Sequence, residues 1–179
     1  MGNSIALLRG INVGGRTRMP MEALRELCIS LGWQDVRSYI QSGNVIFSAD
    51  GTAAAQEAAL EEAIRARFGM SIPVLVRSPE QWNAYLKANP FPTAAEQEPN
   101  RLMLSLSKRQ LAAGAVTLIQ ERATNGERVG EAAGGLWIHY PVGAGASKLS
   151  PSLVDRLAGS PVTARNWRTV TKLAEMAAA

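Results

Sequence analysis

Short apolar runs alternate with longer amphipathic stretches along the chain, and their two periodicities separate strands from helices. Ser4 to Leu8 is an apolar run followed by Gly10 and reads as a buried strand. Met21, Leu24, Leu27, Cys28 and Leu31 fall on one helical face behind Pro20, and Gly32 with Trp33 fits a glycine C-cap and its apolar contact. Val36 to Ile40 and Val45 to Phe47 are β-rich runs around Gln41-Ser42-Gly43-Asn44, a hairpin signal. A helix from Thr52 to Phe68 closed by Gly69, and a strand from Ile72 to Val76, complete the order β-α-β-β-α-β of a ferredoxin-like unit.

Ser78-Pro79-Glu80-Gln81 is a capping box with proline at the first helical position, so a connecting helix runs from there to Ala88, packing through Trp82, Tyr85 and Leu86. Residues 89–100, with three prolines and two acids, read as a linker. The order then repeats. Leu102 to Leu106 is a strand, and Ser107 to Gln110 is a capping box that predicts the next helix. Arg128 to Ala132 and Leu136 to Tyr140 are strands around Gly134-Gly135. Ser150-Pro151 opens a helix, a short extended piece lies near Val162, and a last helix starts at Asn166. The fold expected is α+β: two ferredoxin-like units with antiparallel sheets and helices on one face, over residues 1–88 and 101–179, the second degenerate and ending in a C-terminal helix.

Composition narrows the chemistry. With 46% hydrophobic residues in 179 the chain can bury a sizeable core, and no apolar stretch reaches the roughly 20 residues of a membrane helix. Its apolar start is expected to be a strand, not a signal peptide, and no membrane partner is expected. A single cysteine, Cys28, allows no intrachain disulfide and fits a cytoplasmic protein; on its helix face it reads as core. One cysteine and one histidine exclude a structural zinc site, so no metal or other cofactor is expected. The net charge of +4 is unevenly placed: Arg9, Arg16 and Arg18 precede the first acid, and Arg156, Arg165, Arg168 and Lys172 run together near the end.

Four loops carry the candidate chemistry. Arg9 to Thr17 mimics a phosphate loop with arginine in place of lysine, but Pro20 starts the helix too late for its terminus to face a phosphate, and no strand supplies an aspartate for magnesium. Gln41 to Asn44 is the second loop. Strands one and three of a ferredoxin-like sheet are antiparallel neighbours, so these two loops should share one sheet edge. Pro141 to Lys148 is a glycine-spaced loop ahead of a helix, and Thr163 to Arg168 precedes the last helix; by the same topology Lys148 and Arg165 become neighbours. None of the four loops contains Asp, Glu, Cys or His. General acid–base catalysis would need a group from elsewhere, a serine nucleophile would lack its base, and no catalytic residue is assigned. His139 alternates with Ile138 and reads as a satisfied strand histidine.

At these residues the sequence resembles the bacterial family catalogued as domain of unknown function 1697. The resemblance rests on IALLRGINVGG at Ile5 to Gly15, DVRSYIQSGNVIF at Asp35 to Phe47, NPFP from Asn89, HYPVGAGASKL at His139 to Leu149 and TARNWRTVTKL at Thr163 to Leu173. It implies an α+β fold with ferredoxin-like elements and no particular activity. The motif residues it carries over are Arg9, Asn12, Gly14, Gly15, Gln41, Ser42, Asn44, Ser147, Lys148, Arg165, Asn166 and Trp167.

The leading expectation is a module that binds a small phosphate- or carboxylate-bearing ligand between its two halves. The ligand-binding residues would be Arg9, Asn12, Gly14, Gly15, Arg16, Gln41, Ser42, Asn44, Ser147, Lys148, Arg165 and Asn166. An RNA- or single-strand-binding protein is the alternative, favoured by a pI near 9.6 but opposed by the absence of aromatic residues in the strand Ile5 to Leu8. An enzyme of unassigned class is the third reading.

Overall fold

Eight strands and seven α-helices lie among the described residues, 3–15 and 17–179, of a computed structural model, in the order that the periodicities predict except for a helix within the segment expected to be a linker. The contacts group into two compact units: Met1–Trp82 with Leu173–Ala179, and Asn83–Lys172.

In the first unit β1 (Ser4–Leu8), α1 (Met21–Ser30), β2 (Gln34–Tyr39), β3 (Asn44–Ser48), α2 (Ala53–Phe68) and β4 (Val74–Arg77) build an antiparallel sheet of order β2-β3-β1-β4. Local chemistry sets the helix ends. Thr52 caps α2 by accepting the Ala55 N–H at 3.2 Å, and Gly69 closes it in the left-handed conformation. After α1, Gly32 adopts φ 82° and the Trp33 N–H reaches the Cys28 carbonyl at 3.3 Å, the paired bonds of a Schellman turn. Trp33 is thereby delivered onto Phe47, ring centroids 3.8 Å apart. Both helices cover one face of the sheet, where Leu24, Leu27, Cys28, Leu60 and Ile64 pack on Ala6, Leu8, Val45, Phe47, Val74 and Val76.

The helix α3 (Pro79–Ala88) opens with the predicted capping box: the Ser78 N–H donates to Gln81 Oε1 at 2.9 Å, and the Gln81 N–H returns to Ser78 Oγ at 3.3 Å. Within the segment 89–100 lies a short helix, α4 (Pro92–Gln97).

In the second unit β5 (Leu102–Ser107), α5 (Ala115–Arg122), β6 (Arg128–Ala132), β7 (Gly135–His139), α6 (Pro151–Ala158) and β8 (Val162–Asn166) repeat the topology, with sheet order β6-β7-β5-β8. The chain ends in α7 (Trp167–Ala178). The β6–β7 hairpin turns through Ala133 and Gly134, both at positive φ, as a two-residue hairpin of this hand requires. One expectation is corrected. The capping box at Ser107 to Gln110 does not start a helix, because Ser107 is the last residue of β5 and its hydroxyl bonds that of Ser160 at 2.5 Å. The Lys108 N–H goes to the Pro161 carbonyl at 2.8 Å and the Ala112 N–H to the Ala158 carbonyl at 2.9 Å, so the segment is tied across to the end of α6 and α5 begins only after Gly114. Long-range partners claimed the donors that a helix would have needed.

Candidate functional site

The first two loops meet as the strand order requires. The Leu7 and Asn44 positions pair, and the Leu8 N–H donates to the Gly43 carbonyl at 2.8 Å. Asn12 then joins the loops. Its Nδ2 donates to the Gln41 carbonyl at 2.8 Å and to the Met19 carbonyl at 2.9 Å, while its Oδ1 accepts the Met19 N–H at 2.8 Å. Thr17 closes the same loop through its hydroxyl to the Gly10 carbonyl. Asn44, fully buried, donates to the Tyr39 carbonyl at 2.9 Å and to Ser42 Oγ at 3.1 Å. The amides of Asn12 and Asn44 and the hydroxyl of Thr17 therefore brace the loops from within. Gly14, Gly15 and Gln41 face outward, and Arg9 is half-buried with its N–H on the Pro73 carbonyl at 3.0 Å. Arg16 lies outside the described residues. Pro20 is extended and α1 starts at Met21, beyond the end of this loop.

The third and fourth loops meet at one cavity, lined by Ala144 and Leu149 from the one and Ala164 from the other, but neither Lys148 nor Arg165 lines it. Residues 141–149 follow the helix-covered face of the second sheet, where Leu149 packs with Ile138, Tyr140 and Val154. Ser147 donates to Glu127, whose second oxygen accepts the Asn125 N–H at 2.8 Å, and Asn125 Nδ2 donates to the Ala146 carbonyl at 2.7 Å. Glu127 is buried, and burial pushes its carboxyl up. Hydrogen bonds from Ser147 and from the N–H groups of Asn125, Glu127 and Thr124 together outweigh burial and hold it below the ordinary value. The serine thus has a carboxylate partner after all, and their hydrogen bond ties the loop to Glu127. Lys148 is exposed. Asn166 is spent on capping, its Oδ1 accepting the Thr169 N–H at 3.0 Å.

Arg165 belongs to the other face. Val162 packs among the residues under α5 and α6, so alternation along β8 sends Thr163 and Arg165 to the opposite side. Along β7 the same parity sends Trp137 and His139 there, since Leu136 and Ile138 face the helices. Trp137 and Arg165 both sit opposite Leu104 of β5, about 10 Å apart at two strand spacings. This face is buried, and its polar groups sit opposite Leu102, Leu104 and Leu106 of β5. Trp137 Nε1, His139 Nδ1 and Thr163 Oγ1 are enclosed without a hydrogen-bond partner among the described residues. Burial pushes the Arg165 guanidinium down to about 10, still a cation at neutral pH, and its Nη1 donates to the Ala164 carbonyl at 2.9 Å.

His139 is oriented from its far side. Its Nε2 lies 2.8 Å from Glu98 Oε2, and Glu98 Oε1 accepts Arg101 Nη1 at 2.8 Å. Hydrogen bonds from His139 and then Arg101 hold the Glu98 carboxyl below its ordinary value, so it stays ionised and the proton sits on Nε2. Nδ1 then accepts when the ring is neutral and donates when it is protonated. Sequence reasoning missed Trp137, Thr163, Glu98 and Glu127. The i, i+2 pairs Trp137/His139 and Thr163/Arg165 were a usable signal; the two glutamates left none, because their partners are distant in the chain. Among the described residues no group of His, Cys, Asp and Glu could hold a metal ion.

The family described as "Protein of unknown function (DUF1697)" matches residues 1–137. Among solved structures, the conserved bacterial protein SP0830 from Streptococcus pneumoniae is similar, with TM-score 0.72, 24% identity and 98% of each chain covered, a likeness of fold. No curated protein matches the sequence.

Proposed function

We propose, for a chain that belongs to the DUF1697 family, that it binds a small anion bearing phosphate or carboxylate on the polar face of its second sheet. Arg165 is the cationic anchor, and Trp137 and Thr163 are neutral donors. The observation that supports this reading is the set of three enclosed polar atoms without partners on the face that also carries a buried guanidinium. Buried polar groups in folded proteins are nearly always hydrogen-bonded, and each orphan costs about 1–3 kcal/mol. An indole N–H donates only and a hydroxyl can donate, so Trp137 and Thr163 call for an acceptor, and the Arg165 charge on the same face favours an anionic one; His139 Nδ1 joins these donors only when its ring is protonated.

Binding of RNA fits less well. The large hydrophobic residues exposed among the described positions are Val13, Ile29, Ile40, Leu118 and Val142, none of them a ring on which a base could stack. Among the described residues no helix is long and apolar enough to cross a membrane. A cytoplasmic location is our reading, supported by the single, buried, unpaired cysteine.

Calorimetric titration with inorganic phosphate, pyrophosphate and citrate tests the proposal. Thr163→Val keeps shape and removes one donor, and Trp137→Phe removes a donor together with part of the ring, so each should weaken the best of these anions about tenfold or more, a charged hydrogen bond being worth about 1.5–3 kcal/mol. Thr163→Val should not destabilise the ligand-free protein, since an unsatisfied group is removed, whereas Trp137→Phe should cost stability through the void it leaves in a fully buried site. Affinities equal to wild type in both variants, or no saturable binding of any of the three, would sink the reading.

A further inference from the structure

The glycine-spaced loop 141–149, which the anion site does not use, forms the rim of a cavity of about 230 Å³ between the second sheet and α6. Met103, Ile138, Leu149 and Val154 supply apolar walls, and Ile138, Leu149 and Val154 are at most 6% exposed. Close-packed interiors leave few voids larger than a water molecule, and an apolar cavity of about 150 Å³ already takes up benzene. A space half as large again suits a two-ring molecule.

Its polar groups are few and fixed. Ser105 and Tyr140 contribute hydroxyls, and Asp155 stands at one end with its Oδ1 held by the Val162 N–H at 2.8 Å. Burial first, and then the charge of Glu127, push the Tyr140 phenol up to about 12, so it is neutral at physiological pH. The rim is held open by Glu127 through Ser147 and by Asn125 through the Ala146 carbonyl. Two carboxylates, Asp155 in the wall and Glu127 behind the rim, oppose an anionic occupant.

We infer that this cavity is a binding site for a small, flat, largely apolar molecule carrying one hydrogen-bond donor, of the size and kind of indole, with Asp155 as the acceptor. The site is separate from the anion face, lies on the opposite side of the sheet and takes ligands of opposite character.

The test uses the full chain with methyl-labelled Met, Ile, Leu and Val, titrated with indole, naphthalene and benzoate. Indole should give saturable shifts at Met103, Ile138, Leu149 and Val154, naphthalene weaker ones, and benzoate none there. Ala164 is exposed and lines the cavity, so Ala164→Phe should fill its mouth without disturbing the core and weaken indole at least about tenfold. Asp155→Asn keeps an oxygen for the Val162 N–H and loses the charge, so it should weaken indole about fivefold and leave naphthalene unchanged. Absence of saturable shifts with indole, or shifts unaltered by Ala164→Phe, overturns the site. Naphthalene binding as tightly as indole overturns the role of Asp155.

Discussion

Asn12 Nδ2 donates to the Gln41 carbonyl at 2.8 Å, joining a loop that leaves β1 to the hairpin that enters β3. That bond explains why an asparagine sits at φ 55° in a glycine-rich loop. Its side chain meets both faces of the junction, and few other residues tolerate the left-handed conformation. The two segments are positioned further by Gly43, which packs against Leu8 and Ile11.

Gly43→Ala should break this junction. An added Cβ would lie 2.6 Å from Ile11 Cδ1 and 2.8 Å from Leu8 Cβ, at φ 81°. Overpacking a core costs about 1–3 kcal/mol and the left-handed conformation adds roughly 1 kcal/mol. Urea denaturation should show a loss of at least about 2 kcal/mol, whereas Gly14→Ala, at φ 63° with nothing near its Cβ, should lose only the conformational part.

Leu24 is fully buried under the first sheet, and Ile29 on the same helix is 59% exposed. Leu24→Ala should therefore cost about 2–5 kcal/mol, and Ile29→Ala should stay within about 0.5 kcal/mol by thermal or denaturant melts. Comparable losses in the two would mean that the buried face of α1 is misassigned.

Cys28 has its thiol pushed up to about 12 by burial. The thiolate is the reactive form, so a disulfide reagent at pH 8 should modify the native protein only as fast as it opens, and the unfolded protein at once. Rapid stoichiometric labelling under native conditions would contradict this.

Glu127 sets a pH dependence whose sign follows from its lowered value. A carboxyl titrating lower in the folded than in the unfolded chain adds stability above its ordinary 4.5, and loses that contribution as pH falls through the folded value. Stability measured against pH should drop in that acid range, and Glu127→Gln should flatten the drop while lowering stability at pH 7. Glu98 shifts in the same direction, so a residual slope should remain in the variant.

What the sequence by itself determined is local: the cap at Thr52, the capping box at Ser78, the left-handed glycines at Gly32 and Gly69, and the helix opened by Ser150. These depend on partners within a few residues, which a pattern displays directly. Topology carried one step further, because the ferredoxin-like order alone brings β1 beside β3 and so Arg9 to Asn12 beside Gln41 to Asn44. Tertiary structure decided the rest. The Ser107 signal lost its helix to Ser160, 53 positions away, and Ser147 found its carboxylate in Glu127, 20 positions away. Arg165, by one step of strand parity, left the loop it was grouped with for the buried face that Trp137 also occupies, with β5 between them. A side chain's chemistry is written at its own position, but its partner is chosen by which distant strands close together, and no local pattern records that choice.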